Sequence, residues 1–512
     1  MRTRLACGAR IAAFFGAALS LVSCGGRDGP DGGTKPLLVF CAAGLKAPVE
    51  DLAQAFRKEH GVEVQIQYGG SGTLLASLKV SRSGDLYLPA DASYLDDTQG
   101  GPLVDEILPL AHQTPVLAVR PGNPLKIAGV ADLARPDVRV SLANPEAAAI
   151  GRVVREALRA AGAWDAVEEN IRAHGVFKPT VNESLNDLKL GAVDAAVVWD
   201  SLARQHPEIE ALPAPEFAHG RAEVSVAVLK SSAQPTLALR FARYLNSRVG
   251  NASFKRNGFE PVEGDAWAWE PEITFFCGAL NRRAVDEIIN AFAAREGVRI
   301  NTVYNGCGIL TGQMKAIREG PSGGQGFPDI YLACDRYYLD NVKDWFQDGV
   351  DVSRAAIVIA VQKGNPSGIR SLRDLARPGL RVAVGQPEQC TIGALTRTML
   401  EKEGLYDAIM SNVVMQAASS AMIVPTVTTR SVDAAIAYIT DTLASTQSVE
   451  VVTIESPFAV AVQPFAVARS SDHKYLGQRL FRAIAAGRSS FEKAGFTFTA
   501  GAGGGPGGTP AP

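Results

Sequence analysis

The chain has 512 residues, which is enough for two or more domains with complete hydrophobic cores. Its 51 lysines and arginines nearly balance its 53 aspartates and glutamates. Because no basic run or stripe is present, a nucleic-acid partner is not expected.

The first 23 residues have the pattern of an export signal. Arg2, Arg4 and Arg10 precede the apolar segment IAAFFGAALSLV, which is too short to span a bilayer. The segment runs into LVSC, which resembles a bacterial lipobox whose cysteine, Cys24, would carry the lipid; the alternative is an ordinary signal with a coincidental cysteine. We predict a signal peptide over 1–23, a linker over 24–36, and a mature protein in the periplasm or at the cell surface, anchored to the membrane by its N-terminal lipid.

Within the mature chain, strands and helices are predicted to alternate. LLVFCAAG reads as a short strand, and APVEDLAQAFRKEHG shows helical spacing of Val49, Leu52, Ala53 and Phe56 before a glycine stop. VEVQIQY alternates like a strand, and GGSGTLLASLKV then begins a further helix. This order predicts an α/β fold with mainly parallel sheets, in which ligands bind at the carboxyl ends of strands.

Short segments recur in one order about 240 residues apart, an offset far longer than a solenoid repeat. DLARPDVRV recurs as DLARPGLRV, VDAAVVW as VDAAIAY, and FKRNGF as FEKAGF. We therefore predict a tandem duplication, with one domain over 37–262, a linker over 263–271 and a second domain over 272–498. The remaining residues, 499–512, include GAGGGPGGTPAP and are predicted to be disordered.

The glycine-rich loop before the second predicted helix has the chemistry of an anion site. Glycines 69, 70 and 72 let the backbone approach a ligand, and the helix that follows directs free N–H groups at the loop. Ser71 adds a hydroxyl donor. Neither the dinucleotide-binding nor the P-loop motif is completed here. A plain strand-to-helix turn is the alternative.

Five segments of repeat one carry a family resemblance: VFCAAGLKAPVEDLAQAF, YGGSGTLLASL, GDLYLPAD, NPEAAAIGRVVREAL and VNESLNDLKLGAVDAAVVW. They resemble the molybdate- and tungstate-binding proteins of ABC importers, which are type II periplasmic solute-binding proteins. The resemblance is weaker but collinear over repeat two. It implies that each repeat has two α/β lobes joined by a hinge, which close over a tetrahedral oxyanion.

The resemblance also implies where the ligand binds. The family's ligand-binding positions fall in repeat one on Gly44, Ser71, Ile150, Val181 and Trp199. Several of the family's contacts are backbone N–H groups, so the apolar side chains at two of these positions are compatible with binding. The sequence departs from the family at two others, where a serine is replaced by Gly44 and a tyrosine by Trp199, for which a core aromatic is the alternative. The counterparts in repeat two are Ala279, Cys307, Ile392, Ser420 and Tyr438.

Repeat two differs by its cysteines, which fall on segments expected to approach the cleft: Cys277, Cys307, Cys334 and Cys390. Three interpretations remain open, namely small buried packing residues, one or two disulfides, and a soft-metal or thiophilic ligand site. The spacing does not distinguish them, since no C-x-x-C motif is present. A thiolate would repel an oxyanion, so we expect repeat two to bind a dianion less readily than repeat one.

These features predict an exported, lipid-anchored solute-binding protein that captures an oxyanion, with molybdate or tungstate implied by the resemblance, and delivers it to an ABC permease. We predict no cofactor and no enzymatic activity, because no nucleophile–base set is evident. The second hypothesis is a soft-metal-binding or metal-sensing surface protein that uses the cysteines of repeat two. A thiol-dependent enzyme is the third, but no base or cation is evident beside a thiol.

Overall fold

The computed structural model describes residues 35–96, 103–321 and 324–501. The predicted signal peptide, lipidation at Cys24, most of the first linker and most of the C-terminal tail lie outside these residues. In the described part of the chain, no helix combines the length and the hydrophobicity needed to cross a membrane. Thr499 and Ala500, predicted to belong to the disordered tail, both donate backbone hydrogen bonds to Val352 O, at 2.9 and 3.1 Å.

The strands of repeat one form two sheets. They are β1 (Leu37–Ala42), β2 (Val64–Gly69), β3 (Leu86–Leu88), β4 (Val104–Gln113), β5 (Pro115–Val119), β6 (Val140–Ala143), β7 (Val176–Lys178), β8 (Ala195–Trp199), β9 (Glu210–Leu212), β10 (Ala222–Leu229) and β11 (Glu260–Pro261). Lobe one has the order β11-β4-β10-β3-β1-β2, and lobe two has the order β7-β6-β8-β5-β9. The chain crosses from lobe one to lobe two between β4 and β5, where Thr114 N–H donates to Asp200 Oδ1 at 2.9 Å instead of to a strand.

The prediction of mainly parallel sheets is wrong, because both sheets of repeat one combine parallel and antiparallel strand pairs. Parallel pairing joins β1 to β2 and β3, and β6 to β7 and β8. The strands that run between the lobes or return from them, β4, β5 and β10, pair antiparallel with their neighbours. Each lobe is therefore a mixed sheet whose parallel part contains the strand ends that face the cleft.

Helices cover the sheets of repeat one: α1 (Lys46–His60), α2 (Ser71–Ser81), α3 (Ala149–Ala160), α4 (Trp164–His174), α5 (Val181–Lys189), α6 (Asp200–Gln205), α7 (Pro235–Asn246) and α8 (Arg248–Arg256). The first predicted helix is confirmed. Its four predicted apolar residues are buried, and Gly61 ends it with φ of 70°, a left-handed conformation that glycine adopts without steric cost.

Repeat two has the same order of elements, with one change in the sheets. Its strands are β12 (Glu272–Gly278), β13 (Arg299–Asn305), β14 (Ile330–Leu332), β15 (Val350–Gln362), β16 (Val382–Gly385), β17 (Val413–Ala417), β18 (Ala434–Tyr438), β19 (Val449–Thr453), β20 (Val460–Val467) and β21 (Thr497–Phe498). The 13-residue strand β15 pairs with β20 in lobe one and with β18 and β19 in lobe two. The two lobes of repeat two therefore share one ten-stranded sheet.

The helices of repeat two are α9 (Arg282–Glu296), α10 (Cys307–Glu319), α11 (Arg336–Asp340), α12 (Thr391–Lys402), α13 (Tyr406–Met410), α14 (Ile423–Thr428), α15 (Ile439–Thr442), α16 (Lys474–Ala486) and α17 (Arg488–Lys493). As in repeat one, the helices that matter for the cleft begin directly after strands. Helix α10 follows β13 in lobe one, and α12 follows β16 in lobe two.

The two repeats are packed together through the segment predicted to link them. Trp267 and Trp269 pack around Phe56 of repeat one, with ring centroids 6.2 and 5.9 Å apart. Asp265 accepts hydrogen bonds from the backbone N–H groups of Tyr475 and Leu476 in repeat two, each at 3.0 Å. The segment is therefore part of an interface between the repeats.

A buried ion network completes this interface. Glu296, the last residue of α9, is fully buried between arginines of both repeats. Arg243 Nη1 lies 3.7 Å from its carboxylate, and Arg479 pairs with the same carboxylate. Burial lowers the pKa of Arg243 to about 10, against the opposing effect of Glu296. Both arginines thus share one buried carboxylate as a counter-charge.

Candidate functional site

The five residues predicted for repeat one line a single cavity between the lobes. Gly44, Ser71, Ile150, Val181 and Trp199 surround an empty volume of about 240 Å³. The other lining residues are alanines, glycines and one threonine, so no charged side chain lines the cavity. Each of the five lies where a strand ends or a helix begins, which explains how positions far apart in sequence meet at one place.

Three helix N-termini supply backbone donors to this cavity. Helix α2 begins at Ser71, α3 places Ile150 at its second residue, and α5 begins at Val181. N–H groups in the first turn of a helix have no acceptor within the helix and lie at its positive end. In the described residues, no protein acceptor contacts the N–H groups of these three residues. The cavity is therefore suited to an anion with several acceptor oxygens.

The Ser71 hydroxyl accepts a hydrogen bond from the protein backbone, which leaves its own O–H free to donate. Ser71 is 1% exposed, and its Oγ accepts a hydrogen bond from Ala90 N–H at 3.1 Å. Tyr87 Oη donates to Ser71 O at 2.8 Å, and Gln113 Nε2 donates to Ala90 O at 2.9 Å. Because Ser71 Oγ accepts from the backbone, its own O–H remains available to a ligand. Sequence reasoning missed Tyr87 and Gln113, since nothing local marks their contact with the loop.

The two departures from the family pattern compensate for one another in space. A Cβ atom at Gly44 would lie 3.3 Å from Val181 Cγ1 and 3.4 Å from Trp199 Cδ1. A serine side chain extending from that Cβ would need room that the indole fills. Trp199 is 1% exposed and lines the cavity. It is therefore both a core aromatic and a cavity residue.

The lobes of repeat one are in contact across the cavity. Gly72 and Thr73 N–H groups of lobe one both donate to Ala147 O of lobe two, at 2.9 and 3.2 Å. Arg152, on α3 of lobe two, forms an ion pair with Asp91 of lobe one at 3.0 Å. Its guanidinium also stacks over the Tyr94 ring, with the guanidinium carbon 3.9 Å from the ring centroid. Nothing in the local sequence marks Arg152, because its partner precedes it by 61 residues.

Repeat two reproduces one part of this site, the loop before its second helix, with a thiol in place of the hydroxyl. Cys307 begins α10 as Ser71 begins α2, and Cys334 N–H donates to Cys307 Sγ at 3.0 Å, as Ala90 does to Ser71. The two sulfurs lie 2.8 Å apart.

The structure also bears on the three interpretations of the cysteines. All five cysteines of the described residues are buried and unpaired, so no disulfide is formed. Residues 35–96, 103–321 and 324–501 contain no group of three or more His, Cys, Asp or Glu side chains that could hold a metal ion. The thiols are buried packing residues in this structure, the disulfide interpretation stays a prediction, and the described residues offer no ligand set for the soft-metal hypothesis.

The five positions predicted for repeat two do not line one shared cavity. Ala279 and Ser420 line a wide pocket of about 910 Å³, whereas Cys307, Ile392 and Tyr438 are buried away from its lining. The segment that begins at Ser420 starts as a 3₁₀ turn and continues into α14, whereas its counterpart begins at Val181 directly as α5.

The wide pocket of repeat two contains an acidic group. Asp441 lines it together with Arg282 and Arg283. Burial raises the pKa of Asp441 to about 6, against the opposing effects of Ser420 and Arg283. Its Oδ2 has no hydrogen-bond partner among the described residues.

Comparisons with known proteins agree with this architecture. The chain matches the bacterial extracellular solute-binding protein family twice, over residues 37–260 and 273–497. It belongs to this family of α/β solute-binding proteins and contains two tandem copies of the family's domain, as the sequence predicted.

Individual relatives cover one copy of the duplicated domain. The chain is 28% identical to the molybdate-binding protein ModA of Escherichia coli over 262 residues, which are 48% of this chain and 96% of that protein. It is 28% identical to ModA of Mycobacterium tuberculosis over 249 residues, 47% of this chain and 92% of that protein. Among solved structures, the periplasmic molybdate-binding protein of Azotobacter vinelandii is similar at 22% identity and a TM-score of 0.38, covering 44% of this chain and 98% of that one. The predicted resemblance to molybdate-binding proteins is confirmed.

Proposed function

We propose that repeat one captures a tetrahedral oxyanion of the molybdate or tungstate type outside the cytoplasm and delivers it to an ABC permease. The observation that carries this proposal is the convergence of helix N-termini and the Ser71 hydroxyl on a buried cavity without a charged side chain. The molybdate-binding relatives, each matched over nearly its whole length, support the choice of ligand.

The cavity favours a fully deprotonated anion. Its identified polar groups are donors, namely the N–H groups of Ser71, Ile150 and Val181 and the Ser71 hydroxyl. An oxyanion that retains a proton would need an acceptor in the site, and no carboxylate lines the cavity. A buried group left without its hydrogen bond costs about 1–3 kcal/mol, so the protonated form should bind more weakly.

Ligand titration of the purified mature protein tests this proposal. We expect molybdate and tungstate to raise the melting temperature in proportion to the logarithm of their concentration, because they bind the folded state alone. Calorimetry of Ser71→Ala should show affinity lower by about 10- to 150-fold, from the loss of one hydrogen bond to a charged group worth about 1.5–3 kcal/mol.

Ser77→Ala is the matched control for this variant. Ser77 lies on the same helix, and its hydroxyl bonds only to Thr73 O, at 3.1 Å, away from the cavity. Its affinity for molybdate should equal that of the unmodified protein. If molybdate, tungstate and sulfate all leave melting unchanged, oxyanion capture by this protein is refuted.

Membrane attachment through Cys24 is part of the same proposal. The support is the lipobox-like LVSC sequence that follows a short apolar segment. In cells that express the full chain, Cys24→Ser should move the protein from the membrane fraction to the soluble exported fraction and abolish labelling by a radioactive fatty acid. Retention of Cys24→Ser in the membrane would refute lipid anchoring and leave anion capture untouched.

A further inference from the structure

The second repeat contains a pair of thiols at the place where the first repeat has its ligand hydroxyl. Cys307 Sγ and Cys334 Sγ lie 2.8 Å apart, and both residues belong to lobe one. Gly278 lies directly beside them, and a Cβ atom there would be 2.8 Å from Cys307 Sγ. The absent side chain of Gly278 therefore provides the space in which the two sulfurs approach each other.

The other two cysteines of the cleft segments have different partners. Cys277 Sγ contacts Gly278 O at 3.7 Å, and Cys390 Sγ, on lobe two, contacts Ala417 O at 3.4 Å. The geometry thus selects one pair among the cysteines of repeat two.

The surroundings of Cys307 favour its thiolate. Burial by itself raises the pKa of this thiol, but four neighbouring groups that can donate to its sulfur, the Cys334 thiol, Tyr331 Oη, Cys334 N–H and Thr391 Oγ1, together bring it below its ordinary value. The pKa of Cys334 is raised by its hydrogen bond with Cys307, by burial, and by the negative charge that Cys307 would carry. Tyr331 Oη and Thr391 Oγ1 are buried and make no hydrogen bond of normal geometry in the described residues, so they are available to a charged sulfur. One sulfur is thus the nucleophile and the other keeps its proton.

We propose that Cys307 and Cys334 are a redox-active dithiol that closes to a disulfide in an oxidising compartment, converting the former ligand position of repeat two into a covalent crosslink. The proposal does not depend on anion capture by repeat one. The two sulfurs are already close together in this structure, so little movement is needed to form the bond.

The oxidant is a small-molecule disulfide such as oxidised glutathione. The Cys307 thiolate attacks one sulfur of that disulfide, forms a mixed disulfide and expels one thiolate. Cys334 then loses its proton and attacks Cys307 Sγ, which expels the second thiolate. The two protein sulfurs are oxidised by two electrons, and one disulfide is reduced to two thiols. One of their protons comes from Cys334, and the other is the proton that Cys307 released to the solvent when it ionised.

Access to the pair requires opening of the lobes. Cys307 is fully buried and Cys334 is 5% exposed. A Cβ atom at Gly308, next to Cys307, would lie 2.9 Å from Glu388 O of lobe two, which shows how closely that lobe covers the loop. Because both sulfurs belong to lobe one, opening exposes them without separating them.

Thiol mapping of the mature protein tests the proposal. The reduced protein is incubated with excess oxidised glutathione until the reaction is complete, then denatured, alkylated without reductant and digested. We expect one crosslinked peptide pair joining Cys307 to Cys334, a loss of two alkylated thiols relative to the reduced protein, and full alkylation of Cys277 and Cys390. Recovery of Cys307 and Cys334 as free thiols, or a crosslink that includes another cysteine, would overturn the proposal.

Variants taken from repeat one provide the control. Cys334→Ala introduces the residue that repeat one has at that position, Ala90, and should abolish the crosslink and leave Cys307 as a stable mixed disulfide with glutathione. Cys390→Ala removes the cysteine of the opposite lobe and should leave the crosslink intact. If Cys334→Ala fails to fold, mapping of the unmodified protein alone decides between the two outcomes.

Discussion

Substitution of Gly72 by alanine should separate lobe closure from lobe folding in repeat one. Gly72 is the second residue of α2, where alanine is a better helix former than glycine by up to about 1 kcal/mol. In the closed structure, however, the added Cβ atom would collide with Glu146 O of the opposite lobe and lie 3.3 Å from Ala147 O. The substitution is thus compatible with each lobe alone and incompatible with their contact.

The magnitude follows from the hydrogen bonds that closure forms here. To make room for the methyl group, the lobes must separate, which weakens the bonds that Gly72 N–H and Thr73 N–H donate to Ala147 O at 2.9 and 3.2 Å. Each such bond contributes about 0.5–1.5 kcal/mol net, so the loss is about 1–3 kcal/mol. We expect molybdate affinity to fall by about 5- to 150-fold, with a smaller change in the melting temperature of the ligand-free protein, because the helix preference of alanine offsets part of the lost interlobe bonds.

Calorimetry with molybdate and a thermal melt without it measure the two effects separately. Gly312→Ala is the matched control, since Gly312 lies on the equivalent helix α10 of repeat two and a Cβ atom there meets nothing within 4 Å. That variant should gain stability and keep its affinity. If Gly72→Ala binds molybdate as tightly as the unmodified protein, the interlobe contact at Ala147 does not contribute to ligand binding.

Three further predictions concern other parts of the molecule. Glu296→Ala should lower the free energy of unfolding by about 3–5 kcal/mol in urea denaturation, because it leaves Arg243 buried without its counter-charge. An unchanged free energy of unfolding would show that water reaches the ion network. Asp441→Asn should add up to about 3 kcal/mol to the free energy of unfolding above pH 6 and almost none below about pH 4. The reason is that the pKa of Asp441 is raised from 3.8 to about 6 in the folded state, so its carboxyl costs stability as pH rises through that range. A pH-independent gain would contradict the assigned pKa. Gly44→Ser should weaken molybdate binding by overpacking against the indole, and Trp199→Tyr in the same chain should restore it, whereas additive losses in the double variant would show that the two sites are independent.

The divergence of the two repeats is consistent with a division of roles. Repeat one retains the ion pair between Arg152 and Asp91 across its cleft. In repeat two the counterpart of that aspartate, Asp335, accepts hydrogen bonds from the N–H groups of Tyr337 and Val462, each at 2.9 Å; the first matches the bond from Ser93 N–H to Asp91, and the second takes the place of the ion pair. Repeat two thus uses the same carboxylate inside one lobe, while repeat one uses it to join two.

Much of the site in repeat one could be predicted from the sequence because its chemistry is local. A glycine-rich turn followed by a helix specifies free N–H groups wherever it folds, and Ser71 lies on that turn. The duplication was equally visible, because segments that build the same elements recur in the same order. The α/β order followed from hydrophobic periodicity and needed no knowledge of contacts.

The tertiary structure alone decided how distant residues pair. The carbonyl of Ala147 meets the second helix only when the lobes touch, and Cys307 meets Cys334 only because β13 and β14 flank the same strand, β12. Side-chain positions set by sheet pairing carry no local signature in the sequence, since the register depends on the whole hydrophobic pattern. The sequence therefore determined which groups could bind an anion. The packing of the lobes determined that repeat one assembles them into a cavity, and the strand pairing within one lobe determined that repeat two places two thiols in contact.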